Sequence, residues 1–183
     1  GFRAREVGEN IAHIRIGDLT GLVAGTCLLR LYMQFQRINL SVRAGNPLAP
    51  FIFAITNWLV MPLRRVLPAV GRLDTASLVA ALVMVAAEFL LLSLVAGALP
   101  NGLVLLWACV FELLNICVSG LVWLVIAYAV LSFVRPGSDI GYFLAQLVEP
   151  LLVPIRRVLP LMGGVDLSPL ALLLALQVLE IVL

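Results

Sequence analysis

Long apolar stretches alternate with short polar connections along most of the chain. Four of the stretches approach membrane-spanning length, at about 19–36, 75–99, 103–134 and 167–183. A helix that crosses the hydrocarbon core needs roughly 20 mostly apolar residues. The third stretch is longer than a bilayer requires, so it must tilt, kink or protrude. The pattern predicts an all-α membrane protein with four transmembrane helices.

Two shorter apolar stretches lie at about 47–62 and 140–155, and each ends in a proline followed by an arginine pair. The two motifs are Pro62-Leu63-Arg64-Arg65 and Pro154-Ile155-Arg156-Arg157. These stretches are too short to cross a bilayer comfortably, which leaves interfacial and re-entrant helices as the two options. We expect each proline to form an elbow that directs the arginines after it.

The second half of the chain repeats the first. Residues from 56 onward match those from 148 onward at a constant offset of 92, including the run Arg-Arg-Val-Leu-Pro. Flanking identities in the same register are Pro62/Pro154, Gly71/Gly163, Asp74/Asp166 and Glu88/Glu180. The two copies occupy 19–99 and 103–183. Each copy reads as a spanning helix, a short helix, an arginine elbow, a Gly-x-x-Asp turn and a second spanning helix. The Asp is placed to cap that second helix. Because each copy crosses twice, the copies are parallel repeats.

Arginines in the loops predict the orientation. The loops 37–74 and 135–166 hold five and three arginines, whereas the connection 97–103 has no charge. Cytoplasmic loops carry an excess of basic residues, so both arginine-rich loops should be cytoplasmic in a bacterial inner membrane. Residues 1–18 are polar, and the sequence leaves open whether they form a surface helix, an upstream extension or a cloning remnant. Their own arginines count against the orientation.

Composition supports the membrane class and excludes several others. Of the 183 residues, 63% are hydrophobic and 12% charged, whereas a soluble domain is about half apolar and one-quarter charged. Three cysteines and one histidine in no ligand pattern predict neither a metal site nor a cofactor. The sequence shows no nucleophile–base set, so we expect no enzyme. A net charge of +2 is too small to indicate nucleic acid.

The arginine motif resembles that of the YggT (YlmG-like) family of integral membrane proteins. The second copy carries the resemblance best, in Pro154-Ile155-Arg156-Arg157-Val158-Leu159-Pro160 and Gly163-Gly164-Val165-Asp166. The resemblance covers about 19–183 and implies two tandem family repeats. It also implies a role that is only broadly defined: bacterial members are linked to osmotic stress, potassium homeostasis and envelope or division functions. Plastid relatives are linked to cytochrome b6 haem attachment and nucleoid distribution. It implies no catalytic residues.

Two sets of residues are candidates for function. The first is Arg64, Arg65, Arg156 and Arg157, which either only set the topology or bind anionic lipid or a partner protein. Adjacent helical residues do not share a face, so one arginine of each pair is expected to turn inward to Asp74 or Asp166, and the other toward lipid phosphate.

The second set is an intramembrane polar cluster. Charge inside a bilayer is costly, so such residues need partners and are site candidates. The members are Arg30, Glu88, Glu112, Asn115 and Glu180. Counted along their helices, Arg30, Glu88 and Glu112 fall at about the same depth, roughly 14–17 Å. The cluster is either structural, with Arg30 paired to a glutamate, or a proton or cation site.

Two functions therefore compete. The first is a non-enzymatic factor that organises the envelope or a membrane complex, acting through the arginine elbows in osmotic stress or cell division. The second is a small ion channel or transporter-like protein in osmotic or potassium homeostasis, acting through the midplane charges. Oligomerisation and membrane-protein partners are compatible with both.

Overall fold

Helices account for nearly all of the structure. The computed structural model describes residues 2–38, 45–68, 70–71, 73–159 and 167–183, except for the side chains of Phe2 and Glu9. The six helices are α1 (Phe2–Phe35), α2 (Ala49–Val66), α3 (Thr75–Ala96), α4 (Gly102–Val134), α5 (Asp139–Val158) and α6 (Ser168–Val182). The described part contains no β-strand, which confirms the all-α prediction.

Among the described residues, three helices are long and apolar enough to cross a membrane. They are α1 over Arg3–Phe35, α3 over Thr75–Ala96 and α4 over Gly102–Val134. Helix α6 is apolar but has 15 residues, about 22 Å at 1.5 Å per residue. A typical hydrocarbon core is about 30 Å thick, so α6 as a fourth crossing stays a prediction.

Helix α1 begins much earlier than the apolar pattern indicated. The segment 1–18, expected to be separate from the first spanning helix, is continuous with it from Phe2 onward. The segment can be helical because no proline occurs before Pro47 and because oppositely charged side chains on a helix surface are compatible with a helix. At 34 residues, α1 is about 51 Å long.

The prediction of a proline elbow before each arginine pair is wrong. Helix α2 continues through Pro62 to Val66, and α5 continues through two prolines to Val158. Each arginine pair therefore lies in the last turn of its helix. Pro62 lies on an exposed face, where the carbonyl that loses its intrahelical bond is open to the surroundings. Basic residues also stabilise a helix C-terminus through its dipole.

The chain forms two compact units. The first contains α1, α2 from Pro50, α3 and α4 as far as Ile116, and the second contains α4 from Cys117, α5 and α6. This division falls inside α4, whereas the repeat boundary was expected at 97–103. Repeats are defined by sequence register and units by packing, so the two limits need not coincide.

Small residues form the core of the first unit. Ala24 and Cys27 of α1 are fully buried with Ala76, Ala80 and Ala81 of α3. Small side chains let two helix backbones approach closely. The helices run antiparallel, since α1 meets α3 first near Glu88 and later near Asp74.

The core of the second unit is built from larger aliphatic side chains. Its buried members come from α4, α5 and α6, and no charged residue is among them. They are Val118, Val122, Val125, Val148, Leu152, Leu172 and Leu176.

Candidate functional site

A buried carboxylate connects the ends of three helices in the first unit. Asp74, only 2% exposed, accepts a hydrogen bond of 2.5 Å from NH2 of Arg64 on α2 and one of 2.6 Å from Oγ of Ser77 on α3. Gln34 of α1 completes the set, with its amide nitrogen 3.1 Å from Asp74 Oδ2 and its oxygen 2.8 Å from Arg64 NH2. We name Gln34, Arg64, Asp74 and Ser77 the Asp74 junction.

The junction explains why Asp74 is charged. Burial raises the pKa of this carboxyl, but the hydrogen bonds from Arg64 and Ser77 and the charges of Arg64 and Arg30 outweigh burial and hold the pKa below its usual value. Asp74 takes the N-cap position of α3, as expected, but its side chain makes no capping hydrogen bond. The carboxylate instead joins α2 to the start of α3 through its hydrogen bond with Arg64. Arg64–Asp74 is the inward pairing that the sequence predicted for one arginine of this pair.

Arg65 completes the first arginine pair. It is exposed, and no described residue pairs with its guanidinium. One helical step separates it from Arg64, and that step turns its side chain by about 100° away from the junction. The pair is thus divided between one arginine bound to a buried carboxylate and one arginine without a partner among the described residues.

The second arginine pair shows a similar division with a different partner. Arg156 NH1 donates to Glu149 Oε1 at 2.8 Å, within α5. Asp166, the partner expected from the repeat, lies outside the described residues, as does the Gly163 turn. Arg157 is exposed and has no partner among the described residues.

Arg30 is buried and donates its hydrogen bonds to neutral groups rather than to a glutamate. The side chain is 2% exposed, and NH1 donates at 2.9 Å to both Thr56 Oγ1 and Asn57 Oδ1 of α2. Its guanidinium carbon lies 5.0 Å from the centre of the Phe53 ring. The Nε atom has no hydrogen-bond partner among the described residues. The expected pairing with a glutamate is therefore wrong.

The single polar layer predicted for Arg30, Glu88 and Glu112 is not formed. Arg30 interacts electrostatically with Arg64 and Asp74 at one end of α3. Glu88 lies near Gly17 instead, where an added Cβ would be 3.2 Å from Glu88 Oε1. Thirteen residues of α1 separate Gly17 from Arg30, which is about 20 Å. The depth estimate failed because α1 begins earlier than its apolar part.

A second polar group surrounds Glu88. This carboxylate interacts with the Thr20 hydroxyl, the His13 ring and the charge of Glu112. Positions 13, 17 and 20 share one face of α1, so this face is polar where it meets α3. Asn115 lies one turn beyond Glu112 on α4. No group of three His, Cys, Asp or Glu residues able to hold a metal occurs in the described part of the chain.

Glu180, the repeat equivalent of Glu88, has another environment. Its Oε1 accepts a hydrogen bond of 2.6 Å from Ser119 Oγ, and the contact is exposed. The five residues expected to form one cluster therefore lie in three places. Arg30 bonds to α2, Glu88 interacts with Glu112, and Glu180 bonds to Ser119, whereas Asn115 is placed only by its position one turn from Glu112 on α4.

Sequence reasoning missed the partners of Arg30 and of Glu88. Thr56 and Asn57 were visible as a divergence between the copies, since the second copy has Val148 and Glu149 there. In the second copy, Val148 is buried in the apolar core, and α4, which corresponds to the helix of Arg30, contains no arginine that would need a polar partner. A polar residue that replaces a valine at a buried repeat position was the signal for Thr56. No such signal marked His13 or Thr20.

Comparisons with known proteins show that the chain has relatives over most of its length. The Escherichia coli K12 protein YggT is 38% identical over 155 residues, which is 84% of this chain and 78% of that protein. A Vibrio alginolyticus protein encoded in the proC 3′ region is 35% identical, over 88% of this chain and 87% of its own. A Pseudomonas aeruginosa protein is 33% identical, over 95% and 89%. No solved structure is significantly similar.

The family profile covers both copies of the repeat. It matches residues 11–95 and 107–183, which include every helix that carries the arginine pairs, the Asp74 junction and the Glu88 group. Two matched segments agree with the two tandem repeats expected from the Arg-Arg-Val-Leu-Pro register. The chain is a member of the CCB3/YggT family.

Proposed function

We propose that the protein is a non-enzymatic organising factor of the bacterial inner membrane, which gathers anionic phospholipids through Arg65 and Arg157. The observation that supports this most directly is the division of each arginine pair. One member is bound to a carboxylate of its own unit, at 2.5 Å for Arg64 and 2.8 Å for Arg156. The other member is exposed and unpaired in the described structure.

The faces that carry these arginines suit a membrane interface. On α2, Arg65 follows the exposed Trp58 by seven residues, which is two turns, and Met61 by four. On α5, Arg157 follows the partly exposed Val153 by four residues. Apolar side chains on such a face enter the acyl region while a terminal arginine reaches the phosphates. Trp is itself enriched at membrane interfaces.

The arginine distribution supports a cytoplasmic location for these helix ends. Loops 37–74 and 135–166 hold the excess of basic residues that marks cytoplasmic loops. The cytoplasmic leaflet is anionic, and each arginine near it contributes about 1 kcal/mol of attraction. Enrichment of anionic lipid around the protein would in turn recruit or order membrane complexes in osmotic stress or division.

Lipid enrichment in nanodiscs tests this function. Protein reconstituted with equal phosphatidylglycerol and phosphatidylcholine would be extracted, and its retained lipids counted by native mass spectrometry. We expect phosphatidylglycerol to be enriched, and the double variant Arg65→Ala/Arg157→Ala to lose most of the enrichment. At about 1 kcal/mol per arginine the loss is roughly fivefold per site.

A charge-matched variant controls for net charge. Arg3→Ala/Arg15→Ala removes two arginines from the first half of α1, and we expect it to keep the enrichment. Equal loss in both double variants would show a dependence on net charge alone and would refute a role for the helix ends.

A second function is favoured by the group around Glu88. Glu112, His13 and the Thr20 hydroxyl each interact with Glu88 between candidate spanning helices, and such groups serve as proton or cation sites in transporters. Liposomes that contain the purified protein and a cation-sensitive dye test this. Flux that disappears in Glu88→Gln but persists in Glu180→Gln would favour the channel. Absence of flux in the wild type would remove this candidate.

A further inference from the structure

Helix α1 ends in a conformation that is costly for its residue. Arg37 has a φ of 58°, and it is the only non-glycine residue at positive φ in the described part of the chain. Its N–H donates to Gln34 O at 3.1 Å, and the N–H of Ile38 donates to Met33 O at 2.9 Å. These are the two bonds of the Schellman motif, in which glycine usually takes the left-handed position.

The end of α3 has the same two bonds and follows the rule that Arg37 breaks. Its left-handed residue is Gly97, with φ 72°, whose N–H donates to Leu94 O while the N–H of Ala98 donates to Ser93 O. A side chain in the left-handed region clashes with its own backbone, so only a gain elsewhere offsets an arginine there. Strained residues of this type concentrate at functional sites. The guanidinium of Arg37 is therefore the feature to explain.

Gln34 links Arg37 to a second arginine whose orientation is already determined. Gln34 accepts the N–H of Arg37 through its backbone carbonyl, and its side-chain oxygen lies 2.8 Å from Arg64 NH2. Every hydrogen bond of Arg64 to a described residue uses NH2, so NH1, at the end of the guanidinium, remains for another acceptor. The Arg64 side chain is 36% exposed.

This end of the unit carries more positive charge than its own carboxylate neutralises. Arg30, Arg37, Arg64 and Arg65 stand against Asp74 alone among the described residues there. Arg37 is exposed, and no described residue pairs with its side chain. It lies two residues beyond the candidate span Arg3–Phe35, where phospholipid phosphates are found. The missing counter-charge is therefore an anion that belongs to the membrane surface.

We propose that Arg37 and Arg64 form a discrete site for the phosphate diester of one anionic phospholipid headgroup. Arg64, held by Asp74 and Gln34 through NH2, offers NH1 as a single pre-oriented donor, and Arg37 supplies a complete guanidinium edge from the end of α1. Bidentate donation to phosphate is the geometry that guanidinium groups favour. The site deepens the proposed function, since it adds one specific lipid to the general attraction through Arg65 and Arg157.

The substitution Arg37→Gly tests the site without loss of the fold. Purified protein in a non-ionic detergent would be titrated with dihexanoyl-phosphatidylglycerol, and binding followed by calorimetry. We expect one saturable site per chain, and about fivefold weaker binding in Arg37→Gly, from about 1 kcal/mol per arginine. The melting temperature of Arg37→Gly should equal or exceed that of the wild type, because glycine relieves the strain.

Matched ligands and a matched variant separate the alternatives. Arg135→Gly, at the end of α4, should leave the affinity unchanged, and dihexanoyl-phosphatidylcholine should bind more weakly than the anionic lipid. Inorganic phosphate that displaces the lipid at equal concentration would overturn the assignment to a lipid. Unchanged affinity in Arg37→Gly would overturn the site itself, and the nanodisc result for Arg65 and Arg157 would still stand or fall separately.

Discussion

Replacing Asp74 with asparagine removes the charge on which three helices of the first unit converge. The carboxylate accepts from Arg64 at 2.5 Å and from Ser77 at 2.6 Å, and with 2% exposure it has almost no access to solvent. A hydrogen bond to a charged group contributes about 1.5–3 kcal/mol, and a buried group left unsatisfied costs about 1–3 kcal/mol. Arg64 is partly exposed and recovers some hydration. We therefore expect Asp74→Asn to lower the free energy of unfolding by about 3 kcal/mol.

The measurement is unfolding in mixed micelles with increasing SDS, followed by far-UV circular dichroism. About 3 kcal/mol corresponds to roughly two powers of ten in the unfolding constant. The matched control is Glu149→Gln, which breaks an ion pair of similar length, 2.8 Å, whose two members are 36% and 48% exposed. An exposed pair contributes about 0–1 kcal/mol. Equal effects of the two substitutions would refute the claim that burial makes the Arg64–Asp74 pair more stabilising than the exposed pair.

The pH dependence gives the same prediction an independent test. The pKa of Asp74 is lower in the folded protein than in the unfolded chain, so the unfolded state binds the proton more readily. The stabilisation is complete above the unfolded pKa of about 3.9 and is lost as pH falls through the folded pKa. Asp74→Asn should thus show a flatter decline of stability below about pH 5 than the wild type. Parallel declines would contradict a charged Asp74.

Two further predictions concern α1. Arg30→Met alone should destabilise the protein by about 1–3 kcal/mol because Thr56 and Asn57 lose their hydrogen-bond donor. The double variant Arg30→Met/Thr56→Val should recover most of this loss, since apolar packing often replaces a buried polar contact without cost. The same SDS titration measures both variants, and a double variant less stable than the single one would contradict the reasoning. Gly21→Ala adds a Cβ with no neighbouring atom within 4 Å and should stabilise α1 by up to about 1 kcal/mol. Gly17→Ala should increase the stability less, because its Cβ would press on the Glu88 carboxylate. A larger increase in Gly17→Ala than in Gly21→Ala would contradict the close approach of Gly17 and Glu88.

The apolar pattern located the helices well because lipid and core both select for apolar length. The short helices, expected at about 47–62 and 140–155, are observed as Ala49–Val66 and Asp139–Val158. The pattern ended both too early because proline was read as a terminator. Where proline faces outward, as Pro62 does, the helix loses one bond and continues.

The functional residues were harder to predict because their partners depend on register between helices. One arginine of the Arg64-Arg65 pair was expected to turn to Asp74, but the sequence did not say which; the structure shows that it is Arg64, ten residues before Asp74. Arg30 was placed at the wrong level, because depth was counted from an apolar limit that is not the helix end. The left-handed conformation of Arg37 left no trace in the sequence, where a glycine would have marked the helix C-terminus.

The antiparallel register of α1 and α3 has a consequence for the bilayer itself. Because Gly17 lies beside Glu88, the eight residues of α3 after Glu88, about 12 Å, run alongside the charged first half of α1. The apolar part of α1, from Leu19 to Phe35, is about 25 Å long, whereas α3 offers about 33 Å. The hydrophobic thickness that the first unit presents therefore differs between α1 and α3. A bilayer that matches α3 is locally compressed or hydrated along α1.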